Sequence, residues 1–494
     1  MKNLLENESD LGSHPVFHGL VQDDQSYESI SSESIPTHPL GIKPLGNLYL
    51  SQTPNARRNA GSLQALPDEL LMPMFEFLDK TTLLRLSSTC KFLHAFCRSD
   101  ELWKPLFIKS YVRNPRQFQW LGTWRRTLLK STGGRESSVD CSNVYSDVLH
   151  RPFACTYIDL SKYVHIPESN QIQRFPDLSY AEFAARWSST PFILTKCIQS
   201  WPAFGSWDIS SLREKYAGVD FRAEAVDWPF STYCDYLYNN VDESPLYLFD
   251  RKFAENMGIN IGRENNGEYW KPDCFGPDLF ELLGDDRPAH RWLIIGPKRS
   301  GSTFHKDPNA TSAWNAVLQG AKYWIMFPPN VSVPGVYVSE DSSEVTSPLS
   351  IAEWLLEFHA DARSIPECLE GICREGEILH VPSGWWHLVV NLENSIAITQ
   401  NFVPKSHLSS VIEFLRDKPD QVTGFKDNIT NPWALFHKRL DKYYPELKGR
   451  AIEELKVKAR KKRKWDFAIG TDDSVEGESG GFSFRFGGDD LEEE

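Results

Sequence analysis

The chain has 494 residues, longer than one ordinary core, and its 40% hydrophobic and 13% aromatic content can fill about two or three domains. A net charge of −14 argues against a protein that coats nucleic acid, which is normally basic, but leaves a basic peptide as a partner. The nine cysteines are odd in number and form no CxxC pair, so they read as reduced intracellular thiols rather than a disulfide framework or a zinc site.

The N-terminus, MKNLLENESDLGSH, lacks the apolar core of a signal peptide, and no run approaches the roughly 18 apolar residues of a membrane span. The expectation is a soluble intracellular protein with no membrane partner. Residues 1–61 are rich in Ser, Pro, Asn and Glu and cannot bury enough surface to offset their ordering entropy, so they read as a disordered leader. The character changes over residues 62–110. Leu70, Leu71, Met74, Phe75 and Leu78, then Leu83, Leu84 and Leu86, then Phe92, Leu93 and Phe96 recur at helical spacing and predict three short amphipathic helices. Pro67 stands where the first should begin, with Asp68 and Glu69 in the turn that favours acids. On periodicity alone this is a small helical subdomain that packs on the rest of the chain. Its wording resembles an F-box: Leu66 to Leu70, Leu83 to Leu86, Cys90-Lys91 and Leu102-Trp103. That resemblance implies docking on the SKP-type adaptor of a cullin ubiquitin ligase, with Leu66 and Pro67 near the contact.

Residues 111–158 form a connecting segment, with a helix expected within Val112–Asn143. Residues 159–402 are expected to hold the main domain. Tyr180–Trp187 reads as a short helix, Pro191–Thr195 as a buried strand, Trp201–Phe204 as a turn and Pro245–Asp250 as a strand. From Arg291 the strand signal dominates, through Arg291–Gly296, a strand around His305, Ser312–Gln319, Lys322–Phe327, Glu377–Val381, Trp385–Leu392 and Ser395–Phe402. A helical insertion interrupts it at Ser350–His359. Many short antiparallel strands with Gly/Pro turns predict an α+β protein built on a jelly-roll, with a mouth suited to a small ligand.

Two stretches carry chemistry. In STFHKDPNATSAWN, His305 and Asp307 lie two apart, so on a strand both point to one face while Phe304 and Lys306 point to the other. His387, in SGWWHLVVNL, starts a later strand. Two histidines and one carboxylate fill one side of an octahedron and leave positions open, which suits Fe(II). An isolated HxD is a weak signal, but Lys322 on the next strand offers a point charge to a carboxylate, and Thr399 and Asn401 can face the same cavity as donors. Iron for a keto acid, and a lysine plus a hydroxyl for a distant carboxylate, are what a 2-oxoglutarate molecule needs. His380 and at least one of Trp385 and Trp386 read as core residues.

Here the chain resembles the JmjC-domain oxygenases, and within them the subgroup of the lysyl hydroxylase and arginine demethylase once called the phosphatidylserine receptor. The shared wording includes Pro245-Leu-Tyr, Phe249-Asp250, Arg291-Trp292, Gly296-Pro297, Arg299-Ser-Gly301, His305, Asp307-Pro308, Thr311–Asn315, Gly384–His387, Asn391-Leu392 and Ala397–Phe402. The resemblance implies a double-stranded β-helix of the cupin kind, with His305, Asp307 and His387 as catalytic iron ligands. It implies that Asn315, Lys322 and Thr399 hold 2-oxoglutarate. The family has a threonine three residues before the first ligand. Family register points to Ser302 for that place, and strand alternation points to Thr303. The implied chemistry is that of a dioxygenase: O₂ is activated, 2-oxoglutarate becomes succinate, and a C–H bond on a protein substrate is hydroxylated. On N-methyl arginine the product collapses to formaldehyde; on lysine it is a stable hydroxylysine. The pairing with an F-box is similar to plant F-box/JmjC histone arginine demethylases, which implies a histone or other basic protein substrate and a role as a chromatin regulator.

Residues 403–465 return to helical spacing, through Leu408–Leu415, Trp433–Leu440 and Ile452–Val457. By the same resemblance these helices mediate a homodimer. Lys456–Lys464 holds seven cations in nine residues, which reads as a solvated helix face or as a nuclear-import signal. A chromatin substrate favours the nucleus. Residues 466–494 read as a disordered acidic tail. Two functions of different class follow: an iron- and 2-oxoglutarate-dependent demethylase or hydroxylase of proteins, and a non-catalytic F-box receptor that recognises basic or methylated peptides for ubiquitination.

Overall fold

The computed structural model describes residues 35–115, 118–131, 139–339, 344–347 and 350–468, the last seven by backbone alone. The chain separates into a segment 1–37, of which only 35–37 are described and carry no regular structure, and a body from His38 onward. The expected disordered leader over residues 1–61 is not borne out over 38–61, where short 3-10 turns form at Leu45–Leu50 and Ala56–Asn59 and Ile42, Ala56 and Ala60 are buried in the core; residues 1–34 and the acidic tail from residue 469 lie outside the described residues.

In the F-box-like region four helices form rather than three: α1 (Asp68–Glu76), α2 (Lys80–Leu86), α3 (Lys91–Cys97) and α4 (Asp100–Arg113). Asp79 caps α2 by accepting from the Thr82 amide at 2.7 Å. Leu71, Phe75, Leu83, Phe92 and Phe96 turn inward. Among the described residues between Val112 and Asn143 there is no single helix; α4 ends at Arg113, and a separate α5 spans Trp124–Leu129. Helices α4 and α5 are welded to the next layer by aromatic rings. Phe107, Phe118 and Trp124 lie 6.1, 5.1 and 5.9 Å from Trp228, and Trp124 donates its indole N–H to Asp242 at 2.9 Å. One continuous apolar core therefore runs from Leu71 in α1 to Ile398 in the main sheet.

The main domain is two facing sheets. The strands are β1 (Gln173–Phe175), β2 (Phe192–Leu194), β3 (Asp220–Ala223), β4 (Val226–Pro229), β5 (Leu248–Asp250), β6 (Arg291–Gly296), β7 (Gly301–His305) and β8 (Ser312–Gln319). They continue with β9 (Ala321–Phe327), β10 (Tyr337–Val338), β11 (Val345–Thr346), β12 (Leu369–Arg374), β13 (Ile378–Val381), β14 (Trp386–Asn391) and β15 (Ser395–Phe402). The large sheet runs β1-β2-β13-β8-β15-β6-β5-β3-β4, and the small one runs β12-β9-β14-β7. This is the jelly-roll that the strand pattern anticipates, of the cupin kind that the resemblance implies. Strand β9 is buried throughout, because both of its faces are covered. Trp324 and Met326 point between the sheets with Leu379 and Val389, whereas Tyr323, Ile325 and Phe327 pack outward with Phe304 under Trp354 of helix Ile351–Glu357.

Two local expectations differ. Trp201–Phe204 is not only a turn, since Pro202 at the first helical position starts helix Pro202–Ser206. Tyr180–Trp187 begins as a capped α turn at Ser179 and continues as a π-helical turn over Phe183–Trp187. Helices Leu408–Asp417, Pro432–Tyr443 and Pro445–Ala468 follow the sheets, and the first two pack on Leu279 and Phe280.

Candidate metal centre

The centre sits where β7 and β14 pair. Their register sets His387 directly opposite His305, with ring centroids 4.1 Å apart. Asp307 follows the end of β7 in extended backbone. One ligand atom from each of the three lies within 4.8 Å of the others. Each histidine is oriented by its own strand: Nδ1 of His305 donates to Thr303 O at 2.8 Å, and Nδ1 of His387 to Trp385 O at 3.2 Å. That bonding assigns the proton to Nδ1 and the ring lone pair to Nε2 in both. Burial lowers His305 to about 3, with His387 adding to the effect and Asp307 opposing it; burial likewise lowers His387 to about 4. Both rings are therefore neutral at physiological pH, as ligands must be. Burial raises Asp307 to about 6, opposed by His305 and by a hydrogen bond from Asn401. Asp307 Oδ2 is buried and has no hydrogen-bond partner among the described residues. Two neutral imidazoles and an orphaned carboxylate oxygen on one side of a cavity fit a hexacoordinate Fe(II) and leave one side open. Phe304 and Lys306 face away, the latter with its ammonium 4.5 Å from the Trp386 ring centroid.

The cavity behind this trio lies between the sheets. Ser302, Asn315, Thr399 and Asn401 line it, together with Tyr247 and Trp324. Asn315 and Thr399 are neighbours in the β8–β15 register, and Asn315 Oδ1 is buried without a partner among the described residues. The Thr399 hydroxyl donates to Trp314 O at 3.0 Å, and Asn401 Nδ2 donates to Thr311 Oγ1 at 2.9 Å. Strict alternation from His305 would turn Thr303 inward, but a bulge intervenes. Between the His387–His305 and Val389–Ser302 pairs, β7 has two residues where β14 has one, so Ser302 lines the cavity and Thr303 does not. Gly301 is required there, because a Cβ would stand 1.9 Å from Val389 O.

Lys322 is fully buried and reaches the cavity through Tyr247, one of its lining residues. Its ammonium donates to Tyr247 OH and to Asn391 Oδ1, both at 2.7 Å, and burial lowers it to about 7. Tyr247 and Asn391 are neighbours of Lys322 to which sequence reasoning gave no role. Each stands in a stretch of shared family wording, Pro245-Leu-Tyr and Asn391-Leu392, and that wording was the only signal. His380 is a core residue, with its ring nitrogens 3.2 Å from Ala313 O and Ser188 O.

The loop after Asp307 is under constraint. Asn309 and Ala310 both have left-handed backbone, with φ of 57° and 53°. The Asn309 carboxamide clamps the loop to the C-terminal layer, donating to Thr423 O at 2.9 Å and accepting from Thr423 N at 3.0 Å.

Comparison with known proteins agrees with this geometry. Residues 229–407 match the family described as Cupin-like domain, and residues 63–109 match F-box-like. The chain is 37% identical to the arginine-specific demethylase JMJ22 of Arabidopsis thaliana, over 88% of this chain and 88% of that protein. It is 33% identical to the lysine-specific demethylase JMJ21 of the same plant, over 71% of this chain and 38% of that one. It is 36% identical to the bifunctional arginine demethylase and lysyl-hydroxylase psr-1 of Caenorhabditis elegans, over 52% of this chain and 64% of that protein. The chain thus spans less than two thirds of the length of the last two. Among the described residues no helix is long and apolar enough to cross a membrane.

Proposed function

The chain belongs to the JmjC family of iron- and 2-oxoglutarate-dependent oxygenases, and from that premise we propose that it is a nuclear arginine demethylase acting on histones or similarly basic proteins. The observation that carries this reading is the in-register His305–His387 pair beside the orphaned Asp307 oxygen. In it, His305, Asp307 and His387 hold Fe(II). Lys322 and Thr399 receive the distal carboxylate of 2-oxoglutarate, and Asn315, Ser302 and Asn401 supply polar contacts along its length. Thr303 has no cavity-facing part in this scheme. When bound, iron and 2-oxoglutarate supply the activation of O₂, with loss of CO₂ and formation of succinate, and deliver one oxygen atom to a substrate C–H bond. The protein binds, orients and excludes water. The strands orient the imidazoles through the Thr303 and Trp385 carbonyls, and Trp324, Val381 and Val389 wall the cavity with apolar surface. Hydroxylation of an N-methyl group on arginine leaves a hemiaminal that releases formaldehyde.

The F-box-like region supports an adaptor-docking role beside catalysis. Leu70, Met74 and Phe77 lie at helical spacing along α1 and its end, at 53%, 46% and 91% exposure, a stripe that suits a partner helix. The working division is a leader (1–61), F-box (62–110), connector (111–158), oxygenase (159–402), C-terminal helices that also serve a homodimer (403–465), and tail (466–494). The cationic stretch Lys456–Lys464 serves nuclear import.

The test uses the purified full chain with Fe(II), ascorbate, 2-oxoglutarate and histone peptides carrying methylarginine. Equal amounts of succinate and formaldehyde are expected. Peptide-dependent succinate without formaldehyde would instead identify a hydroxylase, and the absence of both would leave only the adaptor-docking role.

A further inference from the structure

Resting on the oxygenase reading above, we propose that Phe249 and Trp292 form the recognition surface for the substrate side chain, and that this surface selects the planar guanidinium of a methylated arginine over the compact ammonium of lysine. Both residues line the cavity that holds the candidate metal ligands. They come from adjacent strands of the large sheet. Trp292 is paired with Thr399, and Phe249 with Ile294, so both stand on its cavity face. Their rings lie 5.4 Å apart, inclined by 31°, and make one continuous aromatic surface. Both are half-buried, whereas Tyr247, Ile294 and Trp324 deeper in the same cavity are buried. Ser302, Asp307, Pro308 and Thr399 of the same lining are half-buried too, so the aromatic pair shares the open part of the cavity with the candidate ligand Asp307.

The charge inventory gives this surface its meaning. Asp307 is the one carboxylate among the described lining residues, and the reading above commits it to the metal. A cationic group that enters leaves water without a spare counter-ion, and ring faces must compensate it. Guanidinium is planar, delocalised and weakly hydrated, so it stacks on an aromatic face at small desolvation cost. An ammonium is a tightly hydrated point charge with three donors, and stripped of water against two rings it leaves those donors unmade. A trimethylated ammonium is weakly hydrated too, but it is best held by a box of aromatic faces, and the two half-buried rings, inclined by 31°, make a wall, with Tyr247 and Trp324 buried deeper in the cavity.

The experiment measures binding and turnover separately. Peptides of one sequence carry dimethylarginine, lysine or trimethyllysine at a single position, and calorimetry follows their binding to the full chain loaded with Fe(II) and 2-oxoglutarate without O₂. The dimethylarginine peptide should bind about tenfold tighter than either lysine form. Trp292→Leu and Phe249→Leu should each weaken it about tenfold while moving the lysine peptide by less than about twofold, and Trp292→Phe, which keeps a ring, should retain most of the preference. Equal affinity of wild type for a lysine form, or a preference untouched by the leucine variants, would overturn the assignment. Admitting O₂ distinguishes the two readings. Preference without succinate supports the aromatic wall and refutes the oxygenase; succinate with the lysine peptide alone refutes the wall and leaves the oxygenase standing.

Discussion

Replacing Lys322 by methionine separates a functional cation from a structural one. Burial lowers the ammonium from 10.5 to about 7. At about 1.4 kcal/mol per pH unit, holding the charged form inside the fold at pH 7 costs at most ~5 kcal/mol. Against this, the ammonium satisfies Tyr247 OH and Asn391 Oδ1, and leaving each without it costs ~1–3 kcal/mol. The two nearly balance, so Lys322→Met should leave stability within ~1 kcal/mol of wild type or raise it. A purely structural buried partner would lose ~3–5 kcal/mol on removal. The pH dependence has a definite sign. The folded lysine gives up its proton at lower pH than the unfolded one, so wild type gains stability relative to the variant as pH rises from about 7 toward 10.5. The assay is equilibrium urea unfolding of the metal-free full chain at pH 7 and pH 9, with and without 2-oxoglutarate. Wild type should be stabilised by 2-oxoglutarate through mass action, and the variant should not. A loss above ~2 kcal/mol at pH 7, or equal stabilisation of both proteins by 2-oxoglutarate, would refute the reasoning.

Other changes probe other joints of the molecule. His305→Ala should abolish peptide-dependent succinate and iron binding while adaptor binding to α1 persists; turnover that survives would remove the metal assignment. Asn309→Ala breaks both bonds to the Thr423 backbone and puts alanine in left-handed backbone, so unfolding should cost ~2–4 kcal/mol less, read as a shifted denaturation midpoint. A change below ~0.5 kcal/mol would mean the clamp carries no load. Trp228→Ala empties the aromatic joint between α4, α5 and the β3–β4 hairpin. It should cost ~3–5 kcal/mol and, if the joint is what couples the layers, split one unfolding transition into two in calorimetry. A single unsplit transition would show that the layers are coupled elsewhere.

Much of this protein is encoded at short range. The period of two through His305 and Asp307 separates the candidate ligands from Phe304 and Lys306, and the four-residue spacing of Leu71 and Phe75 gives the first F-box-like helix its inner face. Those patterns are local, because side-chain direction along a strand or helix follows from backbone geometry alone. Where a contact depends on pairing between strands distant in sequence, the pattern is silent. The bulge that turns Ser302 rather than Thr303 into the cavity exists only because β7 must accommodate β14. Tyr247 and Asn391 meet Lys322 from strands and loops far away in sequence, and Phe249 meets Trp292 only through the β5–β6 register. The same holds for the grip of Asn309 on Thr423 and for the aromatic joint at Trp228. Register and closure are set by the packing of the whole body, and only the folded protein expresses them.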